Sequence, residues 1–207
     1  MKIKNFLTAL LLVLCAAVCF NANAQSAPEP VDDANLDTQL YLIVGTNQDV
    51  DDSKLPASLD PVVKQLRATL PFKNYRLAAT LLNRVKNEGR LDLSWIGGPL
   101  ASPTGAASNV TPSFSQFKVR QVKIVRNAEN QQVVQMLGFN FGARVPIQTP
   151  GAIAANGAVA PTVAYENTGV STDISMRESE PVIVGTLNIG PSGDAIILVV
   201  SAKRTQK

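Results

Sequence analysis

The residue types that perform most enzyme chemistry are missing from the greater part of this sequence. The 207-residue chain has no histidine and two cysteines, and both of them, Cys15 and Cys19, lie in an N-terminal segment that we expect to be cleaved. Without imidazole or thiol groups, the remaining chain cannot form a disulfide, a thiolate zinc site, an iron–sulfur cluster or a Ser-His-Asp triad. The chemistry still available to the chain is that of carboxylates, of Ser-Lys pairs and of cations bound by oxygen ligands.

Two serines have a neighbour that could activate them. Lys203 follows Ser201 at the spacing of one strand face, and Asp194 follows Ser192, but no strained turn is predicted to present either serine as a nucleophile. Four carboxylates are candidates for acid–base chemistry, although no pair stands out: Asp92, Asp173, Glu178 and Glu180. We therefore expect a protein that is not an enzyme and that needs no cofactor.

The acidic residues Asp49, Asp51 and Asp52 place oxygen ligands at alternate positions, as calcium loops do. An EF-hand loop needs glycine at its sixth position and a bidentate acid at its twelfth, where this chain has Lys54 and Asp60. We interpret the cluster as a solvated loop whose charge favours the positive end of the following helix. No metal site is predicted.

Residues 1–24 have the pattern of a cleaved signal peptide. Lys2 and Lys4 precede an apolar core at residues 6–20, and small residues follow at Ala22 and Ala24. The mature protein should begin near Gln25, in the periplasm or outside the cell, without a retained transmembrane segment. Loss of the two signal lysines reduces 19 basic residues to 17 against 16 acidic ones, and this near-neutral balance is unlike that of a nucleic-acid binder.

Hydrophobic periodicity predicts the elements that follow a flexible leader at residues 25–35. Residues 40–44 form a compact apolar strand, and Pro56 begins a helix that Pro71 ends. The helix has apolar residues at spacings of three and four: Leu59, Val62, Val63, Leu66 and Leu70. From residue 73 the period is two, which predicts a hairpin that turns at residues 87–90, followed by a loop at residues 98–112.

The second half of the chain predicts only strands. A hairpin turns at residues 127–130, and the change of its alternation near Gln121 and Met136 indicates a bulge or sharp coil. After a loop at residues 149–162, three strands follow at residues 163–177, 181–189 and 195–204. The last two are apolar on both faces, which indicates a central position in a covered sheet.

The predicted fold class is therefore α+β. An N-terminal strand and one amphipathic helix precede an antiparallel, twisted meander or sandwich of about seven strands. The αβ module at residues 36–97 and the β region at residues 113–207 should pack as one domain. The predicted mature chain, from Gln25 onward, is large enough to bury a core of its own.

Residues 142–185 resemble the ring-domain core of bacterial secretins, the outer-membrane proteins of type II secretion and type IV pili. The resembling motifs are GARVPI at residues 142–147, YENTGV at residues 165–170 with Ile174, and EPVIVG at residues 180–185. Secretins carry further periplasmic domains, and this chain has room for one αβ module and about seven strands. The resemblance implies a periplasmic relative or an assembly partner, and ordinary turns of a β-meander remain the alternative for the same residues.

Two functions follow as expectations. The first is a non-enzymatic envelope protein that acts by β-mediated association, with another envelope protein or with itself, as a secretin-like, pilus or secretion-system accessory factor. The second is a periplasmic module that binds a small ligand or a glycan, with Tyr75, Trp95 and Tyr165 beside the two loops. The residues most suited to an interaction are Trp95, Arg144, Tyr165 and Asn167.

Overall fold

The computed structural model describes residues 34–49, 55–98, 100, 111–149, 162–189 and 193–205. The predicted signal peptide, most of the predicted leader, Asp51 and Asp52 of the acidic cluster, and most of both predicted loops lie outside these ranges.

The described residues form eight strands, one 3₁₀ turn and one α-helix. Their bounds are β1 Asn35–Thr46, the 3₁₀ turn Ala57–Leu59, α1 Asp60–Thr69, β2 Asn74–Lys86, β3 Gly89–Gly97, β4 Ser113–Arg126, β5 Gln132–Thr149, β6 Thr162–Arg177, β7 Val182–Ile189 and β8 Asp194–Arg204. The strands make two antiparallel sheets, ordered β2-β1-β8-β7 in the first sheet and β3-β4-β5-β6 in the second. The order of one strand, one helix and then seven strands agrees with the prediction, in a chain that is mostly β.

The main core lies between the two sheets. Alternate residues of each strand point to one face, and the facing surfaces of the sheets meet as in a β-sandwich. The largest fully buried side chains of this core are Phe117, Phe139, Phe141, Leu36, Leu40, Leu42, Met136 and Ile196. This burial joins the N-terminal and C-terminal strands to the middle of the chain.

A smaller core covers the other face of the first sheet. Leu59, Val62 and Leu66 of the helical segment are buried against the first sheet, as the spacing predicted. The opposite surface of this core comes from the sheet: Tyr41, Ile43, Tyr75, Ile197 and Val199. Since residues 40–44 of β1 and 195–200 of β8 are covered on both faces, these stretches are apolar at both parities.

The central position predicted for the last two strands is confirmed for one of them. β8 lies between β1 and β7 and is buried almost throughout. β7 is the edge of the sheet and is only partly buried, so its prediction was wrong. Its apolar side chains pack on both cores, Ile183 on the smaller one and Val182 on the main one, which explains the apolar pattern without a central position.

The predicted hairpin of β2 and β3 is wrong, although both strands exist. β2 pairs with β1, and β3 pairs with β4 in the other sheet. The backbone N–H of Asn87 donates to the Ala34 carbonyl at 2.9 Å, whereas the N–H of Glu88 donates to the Val122 carbonyl at 2.7 Å. The turn therefore changes sheets. Apolar side chains of β3 and of the second half of β2 pack in the main core, whereas Tyr75 and Leu77 of β2 pack in the smaller core.

The second predicted hairpin is confirmed by the pairing of β4 with β5. Both strands change their buried parity near Arg120 and Gly138, and the β5–β6 register shifts by one residue between Met136 and Phe139. Gly138 has φ +63°, a conformation that glycine adopts without strain. Its N–H donates to the Asp173 carboxylate at 2.5 Å. The predicted irregularity is thus a glycine bulge between β5 and β6.

Tyr75 allows a test of the smaller core. Its ring is buried and meets Phe72 edge to face at 6.3 Å, and its hydroxyl has no hydrogen-bond partner among the described residues. Burial raises the pKa of the Tyr75 phenol above its usual value. Because the folded pKa is the higher one, the associated stability is complete below the unfolded pKa of about 10 and is lost as the pH rises through the folded pKa.

We expect Tyr75→Phe to change the free energy of unfolding by between zero and about +1 kcal/mol, because an unsatisfied buried hydroxyl is removed. It should also abolish the latest-ionising component in an ultraviolet titration of tyrosinate. In contrast, Tyr41→Phe should cost about 0.5–1.5 kcal/mol, because the Tyr41 hydroxyl donates to Gln39 Oε1. Urea unfolding measures both changes, and a larger loss for Tyr75→Phe than for Tyr41→Phe would contradict this account.

Candidate interaction surface

β6 is a long edge strand that is exposed over most of its length. It pairs with β5 on one side, and no strand pairs with its other side among the described residues. Natural edge strands are usually short, or protected by lysine or proline. The 16 residues of β6 include neither. Between Val163 and Ile174, no described strand pairs with the backbone groups that face away from β5.

Three of the predicted interaction residues lie together on the outer face of the second sheet. Directly paired residues of a ladder lie on the same face, and Ile96, Phe114, Arg144 and Asn167 form one such row across β3, β4, β5 and β6. Tyr165 lies two residues before Asn167 and shares its face. We call these five residues the outer patch.

The outer patch combines exposed apolar side chains with one cation. Ile96 is 69% exposed, Phe114 40% and Tyr165 36%. The guanidinium carbon of Arg144 lies 5.5 Å from the centre of the Tyr165 ring, a cation–π arrangement. The Tyr165 ring centre lies 5.7 Å from that of Phe114, and its hydroxyl donates to the Pro112 carbonyl at 3.2 Å. These contacts hold the aromatic side chains in place at the surface.

Trp95, the fourth predicted interaction residue, lies on the opposite face of the second sheet. It is partly buried, packs against the main core and has its ring centre 6.3 Å from that of Phe141. Tyr75 is buried in the smaller core, under the helix. The three aromatic residues proposed to flank a ligand groove therefore lie in three different places: Tyr75 in the smaller core, Trp95 against the main core and Tyr165 on the outer face of the second sheet.

The carboxylates considered for catalysis have separate structural surroundings. Asp92 lies 3.3 Å from the Lys118 ammonium, and Glu178 lies 2.6 Å from Arg204. Asp173 accepts the hydrogen bond from Gly138, and Glu180 is exposed at the turn before β7. Within the described residues, no group of three or more His, Cys, Asp or Glu side chains is arranged to hold a metal.

A second surface feature was not predicted from the sequence. A groove of about 230 Å³ lies on the outer face of the first sheet, beside the 3₁₀ turn. We call it the polar groove, and its lining residues are Asp37, Gln39, Tyr41, Ser58, Ser179, Pro181, Ser201, Ala202 and Lys203. Ser201 and Lys203, which had been considered as a catalytic pair, belong to it. No local sequence signal marks the groove, since four separate parts of the chain form it.

A row of charges crosses the first sheet at the groove. In the strand register, Asp37 of β1 lies directly opposite Arg84 of β2 on one side and Lys203 of β8 on the other. Arg84 Nε donates to the Asp37 carboxylate at 2.8 Å, and this hydrogen bond lowers the pKa of Asp37 and raises the pKa of Arg84. Lys203 adds a weaker electrostatic lowering of the pKa of Asp37.

Comparison with solved structures returns secretins. The β-barrel secretin domain of InvG from the Salmonella SPI-1 injectisome shares 10% identity over 84% of this chain and 64% of that chain, with a TM-score of 0.36. InvG in its open gate state shares 11% identity over 100% of this chain and 67% of that chain, with a TM-score of 0.37. The chain thus spans about two thirds of the length of these secretin chains.

No protein-family model matches the sequence, and no curated protein is significantly similar to it. The weak resemblance to secretin domains that residues 142–185 predicted is found again in the structural comparison. In the described part of the chain, no helix has the length and apolar character needed to cross a membrane.

Proposed function

We propose that this chain is an exported, non-enzymatic envelope protein that acts by pairing an exposed β-strand with another protein or with a second copy of itself. The secretin-like motifs support a role as an accessory factor of a secretion or pilus system. Two of these motifs lie on β5 and β6, in the sheet that carries the β6 edge, and the third includes the beginning of β7 in the other sheet.

The observation that carries this proposal is the open edge of β6. Between Val163 and Ile174, the side of β6 that no described strand occupies offers a row of donors and acceptors to an added strand. In β-strand addition, these main-chain hydrogen bonds supply affinity, and side chains on the adjoining face supply specificity. The outer patch adjoins this edge through Tyr165 and Asn167, and it presents aromatic side chains and an arginine, which are residue types enriched in protein interfaces.

The proposal predicts that the mature protein associates through β6. Size-exclusion chromatography with light scattering should show a self-associated species, or a crosslinking pull-down should capture an envelope protein. To locate the contact, Ser171→Cys on β6 and Ser94→Cys on β3 provide exposed positions in the second sheet. The predicted mature chain has no cysteine of its own, so a short bismaleimide would report these positions alone.

Each crosslinking result has a defined meaning. Crosslinked dimers of the single Ser171→Cys variant would indicate two copies joined by β6 itself. A ladder of crosslinked oligomers that forms only when both cysteines are present would indicate head-to-tail pairing of β6 with β3. Lys64→Cys on the exposed side of α1, combined with Ser171→Cys, is the matched control and should give no ladder. A strict monomer that captures no envelope protein and forms no β6 crosslink would overturn the proposal.

A further inference from the structure

The polar groove has a fixed floor and a fixed wall. Its floor is the outer face of β1 and β8, where Gln39 pairs with Ser201 in the ladder. The turn between β6 and β7 forms one wall, and the backbone N–H of Ser179 donates to the Ala202 carbonyl at 2.8 Å. Because β1 and β8 are the central strands of the first sheet and a backbone hydrogen bond holds the turn against β8, the groove is organised before any ligand binds.

The groove offers both hydrogen-bond donors and acceptors. Gln39 accepts the Tyr41 hydroxyl through its amide oxygen, which leaves the amide NH₂ group as a donor. The hydroxyl groups of Ser58, Ser179 and Ser201 also line the groove, and each can donate or accept a hydrogen bond. A ligand that fits this lining carries several acceptors and hydroxyl groups.

Lys203 makes the groove suitable for an anion. The Asp37 carboxylate is bound by Arg84 at 2.8 Å and 3.5 Å, and Glu178 on the adjoining turn is bound by Arg204 at 2.6 Å. Asp37 and Lys203 are the charged residues in the described lining, and Lys203, which also acts electrostatically on Asp37, supplies the positive charge that can meet an added anion. Its exposed ammonium favours a carboxylate through a charge-assisted hydrogen bond.

Size and position narrow the class of ligand. The groove, at about 230 Å³, is smaller than the range of about 300–1,000 Å³ of pockets for drug-sized ligands. It lies on a sheet face and not along a strand edge, so an extended peptide could not add a backbone ladder there. One small ring that carries hydroxyl groups and a carboxylate matches both the size and the donors.

We propose that the polar groove binds a small acidic saccharide, whose carboxylate meets Lys203 and whose hydroxyl groups meet Gln39 and the three serines. This site is separate from the β6 edge, because the groove belongs to the outer face of the first sheet. Binding at the groove is therefore independent of the proposed association, and either can fail without the other.

Titration of the isotope-labelled mature protein by NMR tests the site. Sodium glucuronate at low ionic strength should shift the backbone amides of Gln39, Ser179 and Ser201, with a dissociation constant on the order of 1 mM. Glucose lacks the carboxylate and inorganic phosphate lacks the ring hydroxyl groups, so each should bind at least about tenfold more weakly. Added salt should weaken glucuronate binding, since Lys203 is exposed to solvent.

Variants identify the groups involved. Lys203→Met should weaken glucuronate binding at least about tenfold, because a charge-assisted hydrogen bond is lost, and Lys203→Arg should retain most of it. Lys123→Met on the second sheet is the matched control and should leave binding unchanged. Unaltered affinity in Lys203→Met, no shifts at the groove, or phosphate binding equal to that of glucuronate would each overturn the proposal. Thermal unfolding verifies that each variant is folded.

Discussion

Replacement of Leu198 by alanine is expected to lower the free energy of unfolding by about 2–5 kcal/mol, the usual cost of a large-to-small change in a packed core. Leu198 is fully buried on β8, where it pairs with Leu42 on one side and Gly185 on the other. The truncation leaves a cavity between the two sheets, and β8 can relax only in part because it is paired with β1 on one side and β7 on the other. Such a loss is a large fraction of the stability of a typical domain, about 5–15 kcal/mol.

Urea unfolding followed by circular dichroism measures this effect, with an unchanged dependence on urea concentration as the sign that only stability has changed. Leu82→Ala is the matched control, because the same side chain is 65% exposed on β2. The control should lie within about 0.5 kcal/mol of the unmodified protein. Equal losses in the two variants would show that β8 does not occupy the interior of the sandwich.

Gly169→Ala should lower the free energy of unfolding by about 1–3 kcal/mol, the usual cost of forcing an added group into a packed site. A Cβ atom at Gly169 would lie 2.5 Å from the Phe141 carbonyl oxygen and 3.3 Å from the Cα of Gly142. Both obstacles are backbone atoms of β5 and cannot rotate away as a flexible side chain could. The added methyl group therefore pushes β6 away from β5 and weakens the pairing that holds the edge strand.

The paired glycine on the other strand provides the control. Gly142 is the direct partner of Gly169, yet no described atom lies within 4 Å of a Cβ placed on it. Gly142→Ala should therefore change the stability by less than about 0.5 kcal/mol. Amide hydrogen exchange should become faster in β6 of the Gly169→Ala protein. Equal stability of the two variants would indicate that the close approach of β5 and β6 is absent in solution.

Local sequence patterns were sufficient to predict the elements of this fold. The spacing of Leu59, Val62 and Leu66 predicted a helical segment, and the structure buries these residues. The alternation of the later segments predicted the strands and the irregularity near Met136. The resemblance of residues 142–185 to secretins also came from the sequence.

Strand pairing could not be predicted in the same way. β2 and β3 have the alternation and the short turn of a hairpin, but the backbone hydrogen bonds of Asn87 and Glu88 lead to different sheets. The apolar pattern of β7 suggested a central strand, although it is an edge. In both cases the hydrophobic pattern shows which side chains are buried. It does not show which strand lies beside them, because an apolar side chain can be buried equally well on an edge strand and on a central strand.

For the candidate surfaces as well, the sequence indicated some of the residues, and the strand pairing decided how they are arranged. Arg144, Tyr165 and Asn167 were selected from the sequence, but only the register of β5 with β6 brings them together beside Phe114. The polar groove had no local signal at all. The sequence by itself determined which segments are helical or extended and which chemical groups the chain lacks, because dihedral preference and composition are local properties. Only the tertiary structure decided which strands are neighbours, which edge stays open and where Lys203 lies, because these depend on contacts between residues far apart in the chain.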